Sequence, residues 1–129
     1  MSFDDVGKGF TQQYYQIFSN NKADLRSIYR SSTLMTWVGE QIQGVDAILQ
    51  KFSALSFNQS RINAELIDCH PSLSGGVLVV VNGEVLLQNE QHPLKFNDVF
   101  HLAIDESNGQ WFVSNQLFRI VGGGGSPGS

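Results

Sequence analysis

Asp98 is the side chain in this sequence whose surroundings could support chemistry. It falls in the run Leu94-Lys95-Phe96-Asn97-Asp98-Val99-Phe100, and strand alternation puts it on the same face as Phe96 and Phe100. A carboxylate between two phenylalanines is desolvated, which raises its pKa unless a donor stabilises the anion. A general base for proton abstraction is made in this way. Two structural readings compete. The hydroxyl of Tyr14, Tyr15 or Tyr29, or an arginine, satisfies the carboxylate, as buried polar groups usually are; or the carboxylate sits at a cavity rim and meets water. A lone perturbed carboxylate belongs more often to a structural network than to an active site. No second acid or paired histidine accompanies Asp98, so no catalytic residue is assigned.

The remaining candidates carry less. His70, His92 and His101 lie far apart, without helical or Cys-paired spacing, so no metal site is expected. Cys69 and His70 are adjacent on a strand and point to opposite faces, which excludes a dyad between them. Cys69 reads as a small buried hydrophobe. It is the only cysteine, so the chain forms no internal disulfide, which suits a reducing compartment. The glycines of Gly39-Glu40-Gln41-Ile42-Gln43-Gly44 lack dinucleotide-loop spacing, and no cofactor is expected. Eight basic residues are scattered and the net charge is -4, so there is no stripe for a phosphate backbone and no nucleic-acid partner is expected. The longest Val/Leu run, Val77 to Val81, is too short to span a bilayer, and the N-terminus lacks a signal-peptide core. The expectation is a soluble intracellular protein without a membrane partner.

The elements that position these residues begin with Phe3, Val6, Phe10, Tyr14 and Ile17, an amphipathic helical stripe. Ser2 can cap it, Asp4 and Asp5 suit its dipole, and Gly7 and Gly9 are read as close-packing positions. A short helix buries Leu25, Ile28 and Tyr29. Leu34 to Val38 reads as a strand, Gly39-Glu40 as a turn, and Gln41 to Gln43 as its return. A third helix runs from Val45 to Ala54. Strands follow near Arg61 to His70 and Gly76 to Gln88. Last comes a long hairpin, Leu94 to Val121, turning at Asp105 to Gly109, where Asn108-Gly109 tolerates positive φ. Leu94, Phe96, Phe100, Leu102 and Ile104 share one face of its first strand. On the second, Phe112, Phe118 and Ile120 share one parity, with Trp111, Val113, Leu117 and Val121 on the other. A hairpin apolar on both faces needs two covers: the chain's own helices, and most simply a second copy of the chain. Helices first and hairpin-connected strands afterwards give an α+β domain over residues 1–121. Residues 122–129 read as a flexible Gly/Ser tail.

FTQQYYQIF (Phe10 to Phe18), LRSIY (Leu25 to Tyr29), LMTWVGEQIQG (Leu34 to Gly44), LSF (Leu55 to Phe57) and NQLFRI (Asn115 to Ile120) occur in order at the right separations. Together they closely resemble the nuclear transport factor 2 family, small carriers that import the GTPase Ran in its GDP form. The resemblance covers Ser2 to about Val121. It implies a curved, mostly antiparallel sheet wrapped around the N-terminal helices as a cone with a hydrophobic cavity, paired through its sheet face into a homodimer. It implies that Trp37, Leu55, Phe57 and Phe118 line a cavity for a phenylalanine of Ran. Glu40, Glu90 and Asp98 would be the acids at or near its rim. Phe3 would contact Phe-Gly repeats of nuclear pore proteins, and Val80, Val99 and Leu117 would form the dimer face. It places the protein in cytoplasm and nucleus, at the pore. The chain departs from the family where an acid usually follows the tryptophan (here Val38), at an acidic pair (here Gln88 and only Glu90), and at Asp98, usually glutamine. A cavity enzyme using Asp98 as general base, or an adaptor binding only Phe-Gly peptides, are the alternative readings.

Overall fold

The computed structural model describes residues 2–54, 61–86 and 91–123. In it the Ser2 hydroxyl caps the first helix by accepting the amide proton of Asp5 at 3.2 Å. Helix α1 spans Phe3–Asn20 and carries Asp4 and Asp5 in its first turn, where its dipole favours anions. Asn21 ends α1 and caps a 3-10 helix, Lys22–Ile28, with its side-chain oxygen on the Ala23 amide. The strands are β1 (Leu34–Trp37), β2 (Glu40–Gln43), β3 (Arg61–Pro71), β4 (Val77–Leu86), β5 (Leu94–Ile104) and β6 (Trp111–Gly123); α2 (Val45–Ser53) lies between β2 and β3. They form one sheet in the order β2-β1-β6-β5-β4-β3, antiparallel throughout except that β1 runs parallel to β6. This is the expected α+β architecture, an open mixed sheet with α1 packed across β3 and β4.

The register builds two rows that matter. On the helix-covered face Trp37, Phe118, Asp98 and Val81 stand side by side across β1, β6, β5 and β4, with Met35, Gln116, Phe100 and Val79 in the next row. On the opposite face Leu117, Val99 and Val80 line up across β6, β5 and β4.

Four local expectations change. The β1–β2 turn is Val38-Gly39, not Gly39-Glu40, and strand β1 stops at Trp37. Both turn residues have positive φ, 49° and 88°, as a two-residue hairpin of this twist requires. For a β-branched residue this is a strained conformation. The parity of β6 does not run unbroken: Ser114 is an extra residue opposite His101 and Leu102, a bulge that switches faces. Trp111 and Val113 therefore share a face with Gln116, Phe118 and Ile120. Phe112 lies on the other face, under the Arg30 guanidinium at 4.9 Å. Ile104, placed with the buried face, ends β5 and is exposed. Finally, Gly122 and Gly123 do not begin a tail; they continue β6 opposite Lys95 and Leu94.

The two helical glycines also separate. A Cβ on Gly7 would run into the Cys69 sulfur and press Val79 at 3.0 Å, whereas a Cβ on Gly9 would meet nothing within 4 Å. Only Gly7 is a packing glycine. Gly9→Ala should stabilise the fold by about 0.5–1 kcal/mol through helix propensity alone. Gly7→Ala should destabilise it by about 1–3 kcal/mol through overpacking. Urea denaturation of the pair checks this, and equal effects would contradict the packing.

Candidate functional site

Asp98 sits at mid-sheet, 1% exposed, because the inward alternation of β5 puts it between Phe96 and Phe100. Helix α1 lies over it and delivers two consecutive tyrosines. Tyr15 donates its hydroxyl proton to Asp98 Oδ2 at 2.9 Å. Gln116, from β6, donates its amide to Oδ1 and Oδ2 at 3.1 and 3.2 Å. The Gln116 amide also donates to the Tyr14 hydroxyl at 3.1 Å. Tyr29 donates to Gln116 Oε1 at 2.7 Å and stands 2.9 Å from the Tyr14 hydroxyl. With the Tyr29 proton on Gln116, Tyr14 is the donor in that last contact. Gln116, Tyr14 and Tyr29 thus close a ring of hydrogen bonds, tied to Asp98 by Gln116 and flanked by Tyr15. Among the described residues no buried side-chain nitrogen or oxygen lacks a partner.

Burial pushes the Asp98 carboxyl up to about 8, against the opposing pull of the Gln116 and Tyr15 hydrogen bonds. Tyr14, Tyr15 and Tyr29 are raised well above the ordinary phenol value, first by burial. The network therefore holds neutral hydroxyls around a carboxyl that titrates near neutrality. Of the readings open to Asp98, the tyrosine-satisfied one is observed, with Tyr15 as the direct donor. The rim position is not: Asp98 lies at depth. Gln116 escaped the sequence reading because the β6 bulge hides its register. The available signal was its place two residues before Phe118, on Phe118's own parity.

The other site residues divide by depth. Trp37 and Phe118 are buried and stack at 4.1 Å with their planes 10° apart. Phe96 continues the stack beyond Phe118 at 5.4 Å, and Phe52 meets Trp37 edge-on at 5.2 Å. Glu40 is exposed beside the Val38-Gly39 turn and pairs with Lys51 at 2.9 Å. Leu55, Phe57 and Glu90, like Gln88, lie outside the described residues. Phe3 is 39% exposed at the first position of α1. Val80 and Val99 are half-buried and Leu117 is exposed, on the face that the helices leave open. Cys69 is buried and His70 exposed, so strand alternation separates them. His101 spends both ring nitrogens on serines, Nε2 with Ser72 at 2.7 Å and Nδ1 with Ser114 at 2.5 Å.

Residues 6–120 match the sequence profile described as the nuclear transport factor 2 (NTF2) domain. The chain belongs to the nuclear transport factor 2 family. It is 37% identical over 121 residues to nuclear transport factor 2B of Arabidopsis thaliana, covering 93% of this chain and 95% of that one. It is 38% identical over 112 residues to nuclear transport factor 2 of Schizosaccharomyces pombe, covering 86% and 89%. The solved structure of nuclear transport factor 2 from Cryptosporidium parvum superposes with a TM-score of 0.86 at 39% identity, over 92% of this chain and 94% of that one. The nuclear transport factor 2 fold thus accounts for the cone, the helix-covered aromatic face and the uncovered sheet face together.

Because the native carboxyl is raised from 3.8 to about 8, the folded state binds the Asp98 proton more tightly than the unfolded chain. The stability this contributes is complete below about pH 4 and is lost as pH rises to about 8. Over that window Asp98 should cost the fold about 1.4 kcal/mol per pH unit at most. Asp98→Asn should flatten the profile between about pH 6 and 8. Urea midpoints for both proteins across that range measure it, and parallel profiles would remove Asp98 as the titrating group.

Proposed function

We propose that this protein is a non-enzymatic nuclear transport carrier that binds Ran-GDP and Phe-Gly repeats and works as a homodimer moving between cytoplasm and nucleus. The observation that carries the reading is identity of 37–38% to relatives named nuclear transport factor 2, spread over nearly the whole of both chains. The depth and full hydrogen bonding of Asp98 favour a structural role over a general base: its carboxylate oxygens are engaged by Tyr15 and Gln116.

For Ran-GDP, Trp37 and Phe118 form a buried aromatic stack across β1 and β6 that an entering apolar side chain would have to pack against, and Glu40 is the exposed acid beside it. Burying one apolar side chain there contributes about 1.5–3 kcal/mol, whereas a rim ion pair contributes about 0–1 kcal/mol. Contact at this site is therefore mainly apolar, and affinity should fall only modestly with salt. Ran-GDP should bind in calorimetric titration and Ran-GTP should not. Trp37→Leu should weaken Ran-GDP binding by about tenfold, the equivalent of about 1.4 kcal/mol, and Glu40→Gln by less than threefold. Failure of Ran-GDP to bind the wild-type protein would remove the carrier reading. Phe3→Ala should reduce capture by Phe-Gly peptides without changing the melting temperature, since Phe3 is an exposed helix-start residue.

The in-register row Val80, Val99 and Leu117 supports the dimer, because an apolar strip on an uncovered sheet face favours a partner surface. Leu117→Glu sets like charges against each other across the two-fold and should cost several kcal/mol of association. Sedimentation should give a dimer for the wild type and a monomer for Leu117→Glu. A wild-type monomer would end this reading of the face.

A further inference from the structure

A groove of about 560 Å³ runs between α1, the 3-10 helix and the start of β6, and its apolar wall is made by Val6, Phe10, Ile17, Ile28 and Trp111. All five side chains are only partly buried. Gly9 opens into the same groove. It is the helical glycine for which packing supplies no reason: a Cβ there meets no atom within 4 Å. Helix propensity alone would favour alanine at this position, and what the glycine leaves is bare backbone facing an open channel.

We propose that this groove docks a short extended segment of a partner protein that carries an aromatic side chain beside a basic one. Three observations select this occupant. The groove follows α1 from Asp5 to Ile17, a distance of about 18 Å at the helical rise, which is the length of about five extended residues. A channel of that length, open to solvent, fits a peptide better than a compact small molecule. Its wall presents the rings of Phe10 and Trp111, which favour an aromatic side chain edge-on or offset. Its charged lining residue is Asp5, at the helix's N-terminal end. Among the described residues no cation forms an ion pair with Asp5, so a lysine or arginine of the occupant supplies the complementary charge. The site is distinct from the Phe3 contact proposed above and does not depend on it: Phe3 is absent from the groove wall.

The experiment uses the whole chain, isotope-labelled, titrated with two blocked hexapeptides that differ only at the residues flanking one phenylalanine: arginine in one, glutamate in the other. The arginine peptide should shift the amides of Gly9, Gln13 and Gln110 and the indole of Trp111. It should bind at least fivefold more tightly than the glutamate peptide, and Asp5→Asn should erase that preference. Gly9→Leu fills the channel at a position with free space, so it should melt no lower than the wild type and lose at least tenfold in affinity. Phe3→Ala should bind the peptide as the wild type does. Shifts confined to residues outside the groove, or unchanged affinity in a folded Gly9→Leu, would overturn the site. Equal affinity for the two peptides would overturn the assignment of a basic partner. If Gly9→Leu unfolds, Gly9→Ala with its shorter side chain decides: the proposal requires a measurable loss there, and none would overturn it.

Discussion

Three elements and the residue after a fourth meet in one hydrogen-bond network around a buried carboxyl. Asp98 comes from β5, Gln116 from β6, Tyr14 and Tyr15 from α1, and Tyr29 from just beyond the 3-10 helix. Hydrophobic burial is non-directional and would let α1 slide or rotate over the sheet. Directional hydrogen bonds in a low-dielectric interior do not, because any displacement strands a donor or acceptor at a cost of about 1–3 kcal/mol each. The aromatic packing around the network, including Tyr14 on Phe100 at 5.0 Å and Tyr15 on Phe96 at 5.8 Å, is then held in one arrangement. The position of α1 in turn sets where Phe3 projects and how wide the space beside Gly9 stands.

A carboxyl at this depth is an expensive choice for a core. Its neutral form is favoured by burial, and its anion is tolerated because Tyr15 and Gln116 can both donate to it. The arrangement binds stability to pH in the direction opposite to most surface carboxylates, whose ion pairs favour folding at higher pH. Asp105 shows that ordinary direction in this same chain, held low by the Ser107 hydrogen bonds and by Arg30. The two aspartates differ in sign because one faces solvent and fixed donors while the other is enclosed by rings.

Much of this was legible before any coordinates. The stripe from Phe3 to Ile17 predicted α1, Ser2 its cap, and Asn108-Gly109 the hairpin turn. Asp98 announced itself by breaking an apolar face, and tyrosines were named among its partners. What stayed hidden has physical causes. Gln116 pairs with Asp98 only because of a register that a one-residue bulge at Ser114 resets, and alternation arguments assume no such insertion. Gly7 and Gly9 look alike in a helix two residues apart, but one presses on Cys69 and the other on nothing, a difference of rotation about the helix axis. Val38 reads as strand by propensity, and the two-residue turn overrides it. The resemblance implied Val80, Val99 and Leu117 as a dimer face, hairpin alternation alone set Val99 apart from Phe96 and Phe100, and the register adds that the three fall in one line.

That turn has a consequence for how the rim can change. A β-branched residue in the left-handed region is penalised by about 1–2 kcal/mol, while aspartate and asparagine enter that region more readily. The resemblance implies an acid at the place of Val38, at the rim of the proposed Ran contact. Substitutions at most binding rims trade stability against function, since a gain in one tends to be a loss in the other. Here the two gradients point the same way: an aspartate would relax the backbone and return a negative charge to the rim in a single step. If the proposed rim contact holds, Val38 is thus a position from which a lineage could gain electrostatic contact without first acquiring a compensating mutation elsewhere.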